Sequence, residues 1–216
     1  ICSTVKIKPL DFNMASHPFT NSVYACSKTR ILILTNPEDY NEWESKLFNL
    51  IDRTESVIKL FFLINKPYLL TVLKFVKPYL SLADFSNILS YAWTLSENPN
   101  KDVNVNINTL IKWFKEADKL SLMDKEEYIT YQNLPNELVL YRGISTKSNP
   151  KGISWTRNLE TAKWFANRFS ISNNYILKAK VTKKDILCYF NSRNEDEVII
   201  NTKNIKVEKI RELITP

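Results

Sequence analysis

The sequence predicts an α+β protein of 216 residues, with a mostly helical region over 1–134 and a β-rich region over 135–216 that one compact unit can hold. Three observations predict it. The hydrophobic period changes at Pro135, from three-four spacing before it to short β-branched and aromatic runs after it. The charge changes there too. Residues 1–134 carry 15 Lys and Arg against 15 Asp and Glu, whereas residues 135–216 carry 15 against 8, so the formal charge of +7 lies in the second region. Glycine is scarce: average usage of about 7% gives about 15 in such a chain, and the sequence has 2, Gly143 and Gly152.

The elements follow in order. His17-Pro18-Phe19 reads as loop, and Arg30–Leu34 as a strand. Pro37-Glu38-Asp39 opens a helix, with acidic residues suited to a first turn. Leu47, Leu50, Ile51, Thr54, Ile58, Phe61 and Phe62 recur as one buried helical face would. Pro67 and Pro78 cut the following run into shorter helices. Ser81 caps a helix carrying Leu82, Phe85, Leu89 and Trp93. The Asn-rich stretch 97–106 reads as an exposed loop. Leu110, Ile111, Phe114, Ala117 and Leu120 form another stripe, and a short helix follows from Asp124 to about Gln132. Beyond Pro135 the expected strands are Leu138–Tyr141, Ile153–Thr156, Tyr175–Val181, Ile186–Phe190, Val198–Asn201 and Ile205–Ile210. One helix, Leu159 to about Phe169, interrupts them.

Composition excludes several chemistries. Two glycines cannot build GxGxxG or Walker A phosphate loops. His17 is the only histidine, which removes His-rich metal sites and HExxH chemistry and leaves a Ser-His-Asp triad that one loop residue alone. Cys2, Cys26 and Cys188 are odd in number and contain no CxxC, so neither a disulfide framework nor a metal site is expected, and a reducing cytoplasm fits. No apolar run reaches the roughly 18 residues of a membrane span. Ile1 in place of Met suggests that residues upstream were trimmed or cleaved, which leaves a lost signal peptide open. The basic second region favours an anionic partner.

Three short patterns in that region carry chemistry. In Leu138-Val139-Leu140-Tyr141-Arg142-Gly143 a strand ends in an arginine, the planar fork that grips phosphate, followed by a glycine that lets a ligand approach the backbone. In Gly152-Ile153-Ser154-Trp155-Thr156 the strand period puts Ser154 and Thr156 on one face and Trp155 on the other. In Glu195-Asp196-Glu197-Val198-Ile199-Ile200 the same period puts Glu195 and Glu197 on one face. A sheet normally avoids such like-charge neighbours, whereas a pair of carboxylates suits a site where one stabilises a cation and the other takes a proton. The only two glycines sit in the first two patterns, where close approach of a ligand would want them.

With these residues, Arg142, Ser154-Trp155-Thr156 and Glu195-Asp196-Glu197-Val198-Ile199-Ile200, the chain resembles the arginine–serine–glutamate class of the ADP-ribosyltransferase superfamily over about residues 138–201. Ala162-Lys163-Trp164-Phe165-Ala166 looks like the helix that follows the serine strand. The Tyr-Arg-Gly and Ser-Trp-Thr spellings look closest to compact members from phages and bacterial conflict systems. The resemblance implies a split β-sheet core with the helical region packed on it, NAD as co-substrate and no metal. It implies that Arg142 holds an NAD phosphate or ribose, that the Gly143 backbone bonds the nicotinamide amide, and that Ser154 orients Glu197. Glu197 would bind the nicotinamide ribose and stabilise the cation left as nicotinamide departs, and Glu195 would position or deprotonate the acceptor. Thr156 replaces a serine of the family pattern, and the segment Ile144–Lys151 is short, so further NAD contacts are expected from the helical half. Tyr141 and Trp155 are the better stacking candidates, ahead of Trp93 and Trp164, and Glu97 is a further pocket candidate.

The expected activity is mono-ADP-ribosyl transfer to a macromolecule, protein or nucleic acid, by a phage or bacterial effector or toxin in the cytoplasm. An antitoxin or chaperone is a possible partner. An NAD glycohydrolase and a non-catalytic basic binding module are the alternatives.

Overall fold

Short polar side chains start most helices of the first region. Asn36, Ser81, Asn106, Asp118 and Asp124 each accept a hydrogen bond from a backbone N–H of the turn that follows, one of the donors a helix leaves open at its start. The computed structural model describes residues 17–20, 22–145, 148–168 and 174–210. It begins with a small hairpin, β1 (Tyr24–Cys26) and β2 (Ile31–Ile33). The strand expected at Arg30–Leu34 is thus present, with a partner whose three-residue length gave no period to read. Then come α1 (Pro37–Asp52), α2 (Val57–Phe61), α3 (Leu69–Val76), α4 (Leu82–Leu95), α5 (Ile107–Glu116), α6 (Lys119–Leu122) and α7 (Lys125–Gln132). Pro67 and Pro78 sit in the tight turns Lys66–Tyr68 and Lys77–Tyr79 that separate α2, α3 and α4. Asp124 and Glu127 form a reciprocal capping box on α7.

The stripe read across Leu47 to Phe62 is not one face. The chain leaves helix after Asp52 and resumes at Val57, which resets the period. Phe61 is buried, while Leu50 is 49% and Phe62 60% exposed. In the same way Leu120 lies past the end of α5 and is exposed. The 97–106 stretch is more than an exposed loop. Asn100 is buried, its Oδ1 accepting from Ile153 N at 2.8 Å and its carbonyl from Asn149 Nδ2 at 2.8 Å.

The second region contributes β3 (Glu137–Ile144), β4 (Ser154–Thr156), α8 (Leu159–Asn167), β5 (Tyr175–Thr182), β6 (Ile186–Phe190), β7 (Glu197–Ile200) and β8 (Val207–Ile210). Phe169, expected in the helix, lies outside the described residues. The strands form one antiparallel sheet in the order β6-β7-β4-β3-β5-β8. The resemblance leads to a split core; here the strands are joined throughout, but the seam between β3 and β4 is a single pair, Tyr141 with Thr156. Past Tyr141, β3 runs on beside β5 with no β4 residue opposite, so the two central strands splay apart.

One core joins the two regions, with Leu70, Trp93 and Phe114 of the helices in the same cluster as Trp155, Phe190 and Ile199 of the strands. Trp93 meets Phe114 edge-on at 5.1 Å, and Phe114 meets Phe190 at 6.3 Å. Each such ring or aliphatic side chain, fully buried, contributes about 1.5–3 kcal/mol of transfer energy. This packing carries the end of α4 up to the start of β7.

Candidate active site

The splay between β3 and β4 opens into a cleft of about 810 Å³, within the roughly 300–1,000 Å³ of ligand pockets. Its lining gathers residues from both regions: Lys66 and the 94–100 segment from the first, Tyr141, Arg142, Gly143, Ser154, Thr156, Arg193, Glu195 and Glu197 from the second. All the site residues expected from the three sequence patterns therefore border one cavity. A smaller groove of about 550 Å³, lined by Phe62, Tyr91, Leu120 and Met123 among others, lies on the helical side and has no free carboxylate pair: Asp124 and Glu127 cap α7.

Glu197 is the centre of the site. It opens β7 opposite Thr156, is buried, and its side chain is 6% exposed. The Ser154 hydroxyl donates to its Oε1 at 2.5 Å. The Trp93 indole N–H donates to the same oxygen at 3.1 Å. Oε2 faces the Arg193 guanidinium at 3.4 Å.

Glu195 arrives there by a different route from the one the sequence suggests. It is not on the strand, because β7 begins at Glu197. It lies in the turn before it, where Asn194 and Asp196 adopt left-handed backbone with φ 56° and 48°, a region Asn and Asp tolerate better than other side chains. That reversal, and not strand alternation, brings the two carboxylates together. Burial pushes the Glu195 carboxyl up, helped by the charge of Glu197 and opposed by Arg193. Arg193 Nη2 is 2.8 Å from Glu195 Oε2, and Nη1 donates to the Thr94 carbonyl at 2.8 Å. One guanidinium thus spans both carboxylates and the last turn of α4, whose terminal carbonyls are open acceptors. The sequence reading missed Arg193; its place two residues before Glu195 and four before Glu197 was the available signal.

The turn is clamped on both sides. Glu127 Oε1 accepts from Asn191 N at 2.7 Å and Ser192 N at 3.2 Å. Asp196 takes a two-pronged ion pair from Arg157, closest approach 2.6 Å, and a hydrogen bond from Tyr189 Oη at 2.8 Å. Burial and that bond push the Tyr189 phenol up to about 12. Thr156 Oγ1 donates to the Glu195 carbonyl at 2.8 Å and accepts from Asn158 N, the N-cap of α8, at 3.0 Å. Ser154 and Thr156 therefore act on the same face, one on the carboxylate and one on the turn.

Arg142 is inside β3 and does not end it. Nη1 donates to the Ser154 carbonyl at 2.5 Å and Nη2 to the Asn149 carbonyl at 3.1 Å, while the buried Nε has no hydrogen-bond partner among the described residues. Burial lowers its pKa to about 10, against the pull of Glu197. Its fork ties β3 to β4 and to the segment at Asn149, and the residue also lines the cleft.

Both glycines have a packing reason. A Cβ on Gly143 would stand 2.1 Å from Ala162 O and 2.5 Å from Ala166 N of α8, and one on Gly152 would stand 2.2 Å from Arg142 Nη2. Neither has positive φ. Close approach of the helix and of Arg142 therefore accounts for a glycine at each position, and Gly143 also lines the cleft.

The aromatic candidates divide. Trp93 is fully buried and has no face for stacking. Trp155 is 2% exposed and its N–H bonds the Gly152 carbonyl at 3.2 Å, so its ring belongs to the core. Tyr141 is half-buried at the cleft, on the face of Thr156. Trp164 is 57% exposed at the rim, with the Arg168 guanidinium 5.4 Å from its ring. Glu97 is exposed at the opposite rim. His17 lies away from the cleft, its Nδ1 accepting from Phe19 N at 3.1 Å.

Among the described residues no group of three His, Cys, Asp or Glu is gathered to hold a metal, and no helix is long and apolar enough to cross a membrane. No protein-family model, no curated protein and no solved structure matches this chain.

Proposed function

We propose that this chain is an NAD-dependent mono-ADP-ribosyltransferase acting on a macromolecule. The observation that carries the reading is the Ser154 hydroxyl holding Glu197 at 2.5 Å, with Glu195 beside it, at the head of a cleft large enough for a dinucleotide.

The chemistry follows from the charges. When the bond between ribose C1′ and the nicotinamide nitrogen breaks, its electron pair leaves with nicotinamide and positive charge develops on the ribose. Glu197, fixed by its donors on Oε1, supplies negative charge where that cation forms. An acceptor lone pair then bonds C1′, and Glu195 takes the acceptor's proton. Burial, which already raises Glu195, suits it to that step. Lys66 and Arg168 at the mouth provide positive charge for a pyrophosphate, and the Trp164 ring provides a surface for a base.

The test is incubation of the purified protein with NAD labelled in the adenylate part and a bacterial lysate, beside Glu197→Gln. Protease and nuclease digestion follow. Label in macromolecules that the variant does not transfer supports the reading, and the digestion identifies the acceptor class. Free ADP-ribose alone makes the protein a glycohydrolase. Folded wild-type protein that releases no nicotinamide sinks the enzymatic reading.

A further inference from the structure

We infer that Trp93 is a positioning residue for Glu197, so that the helical region supplies part of the catalytic apparatus. The inference rests on the transferase reading.

Two donors converge on Glu197 Oε1, Ser154 Oγ at 2.5 Å from β4 and Trp93 Nε1 at 3.1 Å from α4. They lie 43 and 104 residues from Glu197 in the chain and come one from the β-rich region and one from the helical region. With Oε1 doubly held, the setting of the carboxylate is fixed, and Oε2 is turned toward Arg193, itself a lining residue of the cleft. The Trp93 ring is itself locked: 0% exposed and packed edge-on against Phe114. An indole N–H has a single donor and no acceptor capacity, so this contact fixes direction. Water at the same place could donate too, but it would leave the carboxylate free to turn. The neighbouring residue repeats the pattern, since the Thr94 carbonyl accepts from Arg193, the cation over the same carboxylate. The last turn of α4 thus orders both an oxygen of the carboxylate and its counter-ion. A buried, charge-assisted hydrogen bond is among the stronger ones, and aiming a catalytic group is worth rate.

Trp93→Phe removes the N–H and keeps an aromatic ring. The expected result is a kcat for nicotinamide release lower by about ten-fold with the NAD KM within about two-fold, while Trp113→Phe, another buried indole in the helical core, keeps both. Should Trp93→Phe fail to fold, benzothienylalanine at 93 replaces the N–H by sulfur at the same ring shape and carries the same expectation. An unchanged kcat in a folded variant overturns the inference. A second readout needs no turnover. In protein labelled with ¹⁵N at tryptophan, Glu197→Gln is expected to move the Trp93 indole N–H resonance and leave that of Trp113 in place. A Trp93 resonance that stays put shows that the contact is not made. Wild-type protein that releases no nicotinamide overturns the transferase reading and the catalytic role of Trp93 with it, whatever the resonance does, so the two failures are told apart.

Discussion

The strand floor of the cleft and the turn over it hold their carboxylates by different means. Glu197 stands on β7, paired through Thr156 to β4, and its oxygen is set by Ser154 and Trp93. Glu195 stands on a turn with no ladder, placed by two left-handed residues and by side-chain clamps from Glu127, Thr156 and Arg157. The floor is held by its main-chain ladders. The turn is only as rigid as the polar side chains that hold it. Two acids two positions apart in sequence thus answer to different parts of the molecule, which suits one to a fixed electrostatic task and the other to a proton that comes and goes.

The difference can be broken from either side. On the transferase reading the largest expected effect is on the floor: Glu197→Gln lowers nicotinamide release by about 1,000-fold, measured by product assay, with calorimetry checking that the variant is folded. Retention of a tenth of the rate would remove Glu197 from the centre of the site. Next is the backing of the floor. Gly143→Ala drives a methyl into the backbone of α8 and is expected to cost about 3 kcal/mol of stability, read from urea unfolding; a neutral result would mean that α8 can retreat. Glu127→Gln weakens the clamp on the turn while leaving β7 alone. It is expected to cost about 1–2 kcal/mol and to speed hydrogen exchange at Asn191 and Ser192 but not at Val198. Equal acceleration at Val198 would show that turn and floor move as one.

The smallest effect is in pH. The Glu195 carboxyl is raised in the folded protein, by burial first and by Glu197 second. The folded state therefore holds that proton more tightly than the unfolded chain does. The associated stability is fully present below the unfolded value, near 4.5, and is lost as pH rises through the folded one. Glu195→Gln, which cannot ionise, is expected to match wild type at pH 4 and to melt slightly higher at pH 8. A variant that melts lower at pH 8 would show that the Arg193 ion pair outweighs burial.

What could be read in the sequence was what short-range physics dictates. Ser81 and Asp124 announce their helices because the cap is local, and Ser154 and Thr156 share a face because strand period is local. Arg142, Ser154 and Glu197 were legible as a set, and they border one cleft. The remainder depends on contacts distant in sequence. Trp93 reads as one more apolar residue of an α4 stripe, and nothing local shows that its N–H ends on Glu197, 104 positions on. The pairing of Glu195 with Glu197 was foreseen for the wrong reason, since the left-handed backbone at Asp196 has no period to betray it. The packing reason for the glycines was hidden as well, since the sequence cannot show that α8 approaches Gly143 and Arg142 approaches Gly152.

The single pair that joins β3 to β4 has a mechanical consequence. Where neighbouring strands are laced by several main-chain bonds, the gap between them is fixed by the ladder; here Tyr141 and Thr156 act as a hinge pin, and the span beyond it is set by the Arg142 fork, one prong on Ser154 and the other on Asn149. A lysine at 142 would keep the charge but reach with a point in place of a fork. The jaws of the cleft would then be tethered at one place only, and their opening angle would be free to widen.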